Sequence, residues 1–202
     1  MNENKTLKPE TNKRIRRVMR RIDAANETIG NGAAYLVLAM AVLTFLIVIL
    51  RYAFDLGWVA MQETVMYMHA AFFMLVMGYA LRHDAHVRID IFFQELSAER
   101  KALVEFWGTV LILYPVCGFI FYYGFGYALD SWLRLESSPE AGGLPLVFVL
   151  KSLLVAMPVL LFAQGTSRLL GAILVLRGGE SVDDLPSNAS PGAQGAQTRG
   201  GR

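Results

Sequence analysis

The stretch Thr28–Leu50, TIGNGAAYLVLAMAVLTFLIVIL, contains no charged side chain and is long enough to cross a membrane as a helix. A membrane-spanning helix needs about 20 apolar residues, because the hydrocarbon core is about 30 Å thick and each helical residue rises about 1.5 Å. Three further runs share this character, with Lys151 as the single interruption in the last: Thr64–Leu81, Phe106–Leu129 and Leu144–Ser167. The sequence therefore predicts an all-α membrane protein with four transmembrane helices.

The composition of the 202-residue chain supports this class of protein and excludes others. Hydrophobic residues make up 54% of it and the mean hydropathy is +0.40, which is too apolar for an ordinary soluble domain. A net charge of +2 gives no basis for nucleic-acid binding. We expect no secretory signal, since the first apolar run is too long for one and lacks a small-residue cleavage site. The lone Cys117 has no partner for a disulfide or a metal site.

A polar joint at residues 81–93, LRHDAHVRIDIFF, separates the second and third apolar runs. Charge of this density stays out of hydrocarbon, so we expect the joint to lie at a membrane surface. Apolar side chains at helical spacing predict a short interfacial amphipathic helix between the second and third spans: Ile89, Phe92, Phe93 and Leu96. We also predict a network that holds these two spans in register, formed by Arg82, His86, Arg88 and Asp90.

The distribution of basic residues predicts the orientation of the chain. Lysines and arginines crowd the N-terminal segment and the second loop, whereas the first and third loops contain few. The positive-inside rule therefore places the N-terminus, the second loop and, after four spans, the C-terminus in the cytoplasm. We divide the chain into a basic cytoplasmic segment (1–27), a membrane domain (28–176) and a disordered cytoplasmic tail (177–202).

The basic segment has one apolar helical face, formed by Ile15, Val18, Met19 and Ile22. Such a face suits either an interfacial helix that grips lipid headgroups or the cytoplasmic start of the first span. We favour a lead-in that is continuous, or nearly so, with that span. In the fourth apolar run, small residues recur every four positions and suit close helix packing: Ala163, Ser167 and Gly171. Because this stripe and the charged joint have no evident use in a monomer, we expect both to contact a larger membrane protein in a stable complex.

Ionisable residues near the apolar runs are the candidates for chemistry. Glu63 opens the second span, and Arg51 is its nearest plausible partner. We favour a structural ion pair between these two residues over a role of Glu63 in proton transfer, because a single acid cannot form a proton relay. His69 lies inside the same span. A haem would need a second intramembrane histidine, so we expect a neutral imidazole bonded to a neighbouring helix.

The remaining chemical signals are negative. The joint contains metal-ligand residue types, but their spacing matches no zinc pattern and the interleaved arginines would repel a cation: His83, Asp84, His86 and Asp90. We find no phosphate-binding loop and no nucleophile motif. The sequence therefore predicts no enzyme activity, catalytic residue, metal or cofactor.

Several short motifs, in their order and separation, resemble the small membrane subunit of tripartite ATP-independent periplasmic (TRAP) transporters, the DctQ-like family. The resemblance covers about residues 34–170. Gln62 departs from the family's pattern, since the family often has a second acidic residue at this position, beside the acid that corresponds to Glu63. The motifs are Arg51-Tyr52-Ala53-Phe54, Trp58, Gln62-Glu63, Gly78-Tyr79-Ala80-Leu81-Arg82, His86-Val87-Arg88-Ile89-Asp90, Glu136-Ser137, Gly143-Leu144-Pro145 and Gln164-Gly165.

This resemblance implies a three-part importer in a bacterial inner membrane. A periplasmic solute-binding protein captures an organic acid, and a large permease subunit moves it inward on an ion gradient, typically of sodium. The small subunit is implied to be a non-catalytic scaffold in the lipid bilayer that braces the large subunit and helps to dock the binding protein.

The motif residues are then structural or interface residues, namely Arg51, Trp58, Glu63, Arg82, His86, Arg88, Asp90, Glu136, Ser137, Gln164 and Gly165. The alternative is a membrane-anchor subunit of a haem- or quinone-linked redox complex.

Overall fold

The computed structural model describes residues 9–83 and 96–177, and in these ranges it contains helices and no strand. The elements in chain order are α1 (Pro9–Phe54), α2 (Val59–Arg82), α3 (Ala98–Gly108), a π-helical turn (Thr109–Leu113), α4 (Tyr114–Arg134) and α5 (Val147–Leu176). Four helical stretches are long and apolar enough to cross a membrane, with α3, the π-helical turn and α4 together forming the third. The predicted fold class is confirmed. Ile89, Phe92 and Phe93 of the predicted interfacial helix lie outside the described residues.

The basic lead-in and the first span form one unbroken helix. α1 has 46 residues, which corresponds to a length of about 69 Å at about 1.5 Å per residue. This length is more than twice the thickness of a hydrocarbon core, which is about 30 Å. One part of α1 therefore lies beyond the apolar layer or crosses it at a steep tilt.

The long helices pack in a row rather than around a shared core. α1 packs on α2, α2 on α5, and α5 on α4, while among the described elements α4 packs substantially only on α5 and the π-helical turn. α5 is the central helix, because it also contacts α1 and α3. In each of the four apolar windows at most 11% of the residues are buried within the chain. Most of the apolar surface is therefore left for lipid or for another protein.

The apolar core lies at one end of this row, where α1, α3 and α5 meet. Met19 of α1 and Ala102 of α3 are completely buried there, together with Ala172 of α5. The apolar face of the lead-in thus packs partly against protein rather than only against lipid. Val18 differs from its predicted partners on that face, since 47% of its surface is exposed.

The π-helical turn marks a close contact between α5 and the helix that contains Pro115. Pro115 lacks the N–H that would bond to the carbonyl of Leu111, so the regular helical pattern is interrupted in this turn. Gly165 of α5 faces the turn, and an added Cβ there would lie 2.5 Å from Leu113 Cδ2. The glycine therefore allows the two helices to approach closely.

The stripe of small residues in α5 is used largely within the chain. Ser167 and Gly171 are buried, and the Ser167 hydroxyl bonds to a residue of α1. Ala163 is half-buried beside α4. The expectation that this stripe contacts another protein is wrong for Ser167 and Gly171, because the folded chain itself covers them.

Candidate functional site

A buried polar network joins α1 to α5 where the two helices cross. Asp23 and Asn26 of α1 and Gln164 and Ser167 of α5 are each at most 3% exposed. The Gln164 amide donates to Asp23 Oδ1 at 2.9 Å, and its oxygen accepts a hydrogen bond of 2.8 Å from Asn26 Nδ2. The Ser167 hydroxyl donates to the same Asp23 oxygen at 2.8 Å. Directional bonds therefore fix the first and last long helices relative to each other.

Helical spacing brings these side chains together. Each helix contributes two polar residues three positions apart, and residues at this spacing share one helical face. Gly78 of α2 provides room for the network, because an added Cβ there would lie 2.3 Å from Asn26 Oδ1 and 3.3 Å from Leu160 Cβ of α5. The network thus lies at the meeting point of α1, α2 and α5.

The end of α2 is tied to α1 by a second group of polar contacts. Arg82 Nη1 donates to the Asp23 carbonyl at 2.7 Å and to Glu27 Oε2 at 2.7 Å. His83 Nε2 lies 2.9 Å from the same Glu27 oxygen. Arg82 was expected to help link the second span to the third, whereas the structure shows it linking the second span to the first.

The predicted joint network has three further members. His86, Arg88 and Asp90 lie outside the described residues, so their participation stays a prediction.

A buried ion pair connects α5 to α3 next to the network. Arg168 Nη1 lies 3.2 Å from Glu105 Oε1, and the two side chains are 6% and 9% exposed. The Arg168 charge also interacts with the Asp23 carboxylate, whose Oδ2 has no hydrogen-bond partner among the described residues. Breaking a buried ion pair is costly because it leaves a charge uncompensated. The arrangement therefore fits a structural connection between helices.

Glu63 forms a second cluster with the loop between α4 and α5. The Ser138 hydroxyl donates to Glu63 Oε1, and the Leu144 amide donates to Glu63 Oε2 at 2.6 Å. The carboxylate is buried, with 9% of the residue exposed. An added Cβ on Gly143 would lie 2.9 Å from Glu63 Oε1, so the loop closes tightly over the carboxylate.

The predicted ion pair between Arg51 and Glu63 is not formed among the described residues. Arg51 is exposed near the end of α1, while Glu63 is held by the loop after α4. A loop far away in sequence can provide amide and hydroxyl donors that satisfy a buried carboxylate as well as a cation does. The interaction therefore joins α2 to the α4–α5 loop instead of fixing the α1–α2 hairpin.

Glu136 lies in the same loop and contacts α5. Lys151 Nζ lies 2.5 Å from Glu136 Oε2, and it also lies over the ring of Tyr127 at 3.8 Å from the centroid. The hydrogen bond from Lys151 lowers the pKa of Glu136 below its ordinary value, and the positive charge of Arg134 acts in the same direction. The single charge inside the fourth apolar run is thereby compensated.

The other predicted site residues do not gather into one place. Trp58 and Ser137 are exposed, as Arg51 is, whereas Gln164 and Gly165 are buried in the α5 interface. His69 is exposed on α2, and its ring is tilted against that of Phe73 in the same helix, with 4.6 Å between the ring centroids. The expected bond from His69 to a neighbouring helix is absent among the described residues.

Sequence reasoning missed the α1 members of the polar network and the ion pair between Arg168 and Glu105. Asp23 stands among arginines and reads as part of a solvated basic face, and Arg168 and Glu105 read as residues at helix ends. One signal could have identified the α1–α5 network, which is that Asp23 and Asn26 have the same three-residue spacing as Gln164 and Ser167.

The described part of the chain offers no group of three or more His, Cys, Asp or Glu side chains that could hold a metal ion. The contacts described above link helices to one another and to the α4–α5 loop. No observation favours the alternative of a redox-complex anchor.

Comparison with known proteins finds a family whose model matches most of the chain. The family model described as "Tripartite ATP-independent periplasmic transporters, DctQ component" matches residues 40–175. This segment begins in the middle of α1, includes α2 to α4, and ends within the last turn of α5. No curated protein and no solved structure matches the chain.

Proposed function

The chain belongs to the DctQ family of TRAP transporters and is a small permease subunit of such a transporter, and we propose that its role there is structural. It braces the large permease subunit and helps to dock the periplasmic solute-binding protein. The family functions together with these two components. In this proposal the transported solutes are organic acids. A gradient of sodium ions drives their uptake.

The observation that carries this proposal is the network of Asp23, Asn26, Gln164 and Ser167. It locks the helix row at one end, and yet no more than 11% of the residues in each apolar window are buried within the chain. A chain that transports by itself would be expected to bring polar residues to a shared pathway near the middle of the membrane. The described hydrogen bonds and ion pairs instead join neighbouring helices or attach a loop to them, as a rigid support for a larger subunit would require.

The loop between α4 and α5 is our candidate for contact with the solute-binding protein. Ser138 and Leu144 bind Glu63, and Glu136 binds Lys151, so both ends of the loop are attached to helices. A loop with a fixed shape presents a contact surface without the entropic cost of ordering it on binding. The positive-inside rule, applied to the basic N-terminal segment, supports a periplasmic location for this loop.

The orientation can be tested by cysteine labelling in intact cells. With Cys117 replaced by serine and Ala85 replaced by cysteine, we expect no modification by a membrane-impermeant reagent added outside. A cysteine at Glu140, in the exposed α4–α5 loop, serves as the matched control and should react. Ready labelling at position 85 together with protection at position 140 would show that the assignment of faces is inverted.

Copurification tests the structural role itself. The chain and the large permease subunit of the same transporter are coexpressed, and the complex is isolated in mild detergent through a tag on the chain. We expect the large subunit to be retained in a defined ratio. Recovery of the chain alone, from cells that contain the large subunit in the membrane, would contradict the proposal.

A further inference from the structure

α2 exposes a single narrow stripe along its length. Gln62, Met66, His69 and Phe73 are exposed, whereas every other residue of this helix is buried or half-buried. Their separations of four, three and four residues place them on one helical face. α1 and α5 pack against the remaining sides of α2. The stripe is therefore the one side of α2 that its neighbours leave open, as far as the described residues show.

The stripe carries a polar side chain at the depth of the membrane centre. His69 lies about 15 Å along the helix from Val59 and about 20 Å from Arg82, in a hydrocarbon layer of about 30 Å. Neither ring nitrogen of His69 has a hydrogen-bond partner among the described residues, and the ring lies 4.6 Å from the Phe73 ring at a tilt of 48°. Gln62, at the outer end of the stripe, also has no side-chain hydrogen bond in this part of the chain.

Lipid tails cannot satisfy these groups. A polar group without a hydrogen bond is unfavourable in an apolar medium, and polar residues inside membranes usually face other helices or water-filled space. The imidazole is too short to reach the headgroup region from the middle of a span. Interhelical hydrogen bonds from His and Gln side chains are a known means of helix association in bilayers. A second protein helix is thus the occupant that fits the chemistry of the stripe.

We propose that the α2 stripe docks a transmembrane helix of the large permease subunit, and that a polar side chain of that helix hydrogen-bonds to the His69 imidazole. Met66 and Phe73, each 55% exposed, flank the histidine and supply the apolar contact around this bond. This inference rests on the proposed function, because it assigns the surface through which the small subunit holds the large one. The sequence alone suggested such a complex from the small-residue stripe of α5 and the charged joint, without identifying the helix that makes the contact.

Photo-cross-linking locates the contact. Benzoylphenylalanine is incorporated in place of Phe73 and, as a control, in place of Phe119, which is 64% exposed on α4. Irradiation of membranes that contain the whole transporter should link position 73 to the large subunit, identified by mass spectrometry, well above the background at position 119. A cross-link from position 73 to a second copy of this chain would overturn the assignment of the partner.

Substitution of His69 tests the hydrogen bond. His69→Leu should weaken recovery of the large subunit roughly three- to thirty-fold, as expected for loss of one interhelical hydrogen bond, whereas His69→Gln should restore much of it. Thermal unfolding of the isolated subunit should be unchanged in both variants, because His69 is exposed and makes no bond within the described chain. Equal recovery with His69→Leu and the parent chain would overturn the role of the imidazole.

The outcomes separate this inference from the proposed function. If the large subunit copurifies with the parent chain while position 73 gives no cross-link to it, the α2 assignment is wrong and the structural role stands. If the large subunit does not copurify at all, the proposed function fails and the docking assignment fails with it.

Discussion

The side-chain amide of Gln164 donates a hydrogen bond of 2.9 Å to Asp23 Oδ1, although the two residues are 141 positions apart in the chain. This bond joins the basic lead-in of the first helix to the last span, and Asn26 and Ser167 complete the contact. Because the long helices form a row with little mutual burial, a few directional bonds contribute strongly to their relative positions. The family model begins at residue 40, so the partner residues Asp23 and Asn26 lie outside the matched segment.

Gln164→Leu should destabilise the isolated subunit. The substitution removes one bond from Asp23 and one from Asn26, and each buried polar group left unpaired costs about 1–3 kcal/mol. Thermal unfolding in detergent measures the change in midpoint. Gln62→Leu makes the same chemical change at an exposed position of α2 and should leave the midpoint unchanged. Similar midpoints for Gln164→Leu and the parent chain would show that the network adds little to stability.

Glu63→Gln should loosen the α4–α5 loop, whereas Arg51→Gln should have little effect. The neutral amide weakens the hydrogen bonds from Ser138 and the Leu144 amide, and a hydrogen bond to a charged group contributes about 1.5–3 kcal/mol. Limited proteolysis of the loop and thermal unfolding report the change. Equal destabilisation by the two substitutions would favour an Arg51–Glu63 ion pair and contradict the contacts described for Glu63.

Gly30→Ala and Gly32→Ala should have opposite effects. A Cβ on Gly30 would lie 2.4 Å from ring atoms of Tyr79 and 2.5 Å from its Cβ, so α1 and α2 would have to separate, at a typical cost of about 1–3 kcal/mol. A Cβ on Gly32 meets nothing within 4 Å, and alanine there should stabilise the helix by about 0.5–1 kcal/mol. Thermal unfolding of both variants decides the matter. Stabilisation by both substitutions would contradict the close packing of α1 on α2.

The contact between Glu136 and Lys151 should make stability depend on pH in the acidic range. The hydrogen bond from Lys151 lowers the pKa of Glu136 in the folded chain. The stabilising contribution of this carboxylate is therefore complete above its pKa in the unfolded chain and is lost as the pH falls through its lower pKa in the folded chain. Between neutral pH and about pH 3, the parent chain should lose more stability than Glu136→Gln does. Parallel curves of unfolding midpoint against pH would contradict this.

The spans could be predicted from the sequence because the absence of charge over about 20 residues is a local property. The continuity of the lead-in with the first span was also expected, since the helical apolar face of Ile15 to Ile22 lies just before the first apolar run. The partners of Glu63 could not be predicted from the sequence, because they lie on a loop that precedes α5. Their position depends on how α2 and α5 pack. Sequence distance favoured Arg51, whereas the folded chain supplies the Ser138 hydroxyl and the Leu144 amide.

The position of Asp23 shows the same limit. A carboxylate among arginines is typical of a solvated face, and only the crossing of α1 over α5 buries it. Pair contacts between distant helices follow from packing, which a single sequence does not display. In contrast, the family could be identified from short motifs, because their order and spacing along the chain are themselves sequence properties.

Reconstituted uptake tests the central claim most directly. The large permease subunit is placed in liposomes with or without this chain, the solute-binding protein and labelled solute are added outside, and an inward sodium gradient is applied. We expect uptake only when the chain is present. We also expect the Gln164→Leu variant, in which the α1–α5 network is weakened, to support uptake at a lower rate but with the same solute preference as the parent chain. Full uptake by the large subunit and the binding protein without this chain would contradict the account.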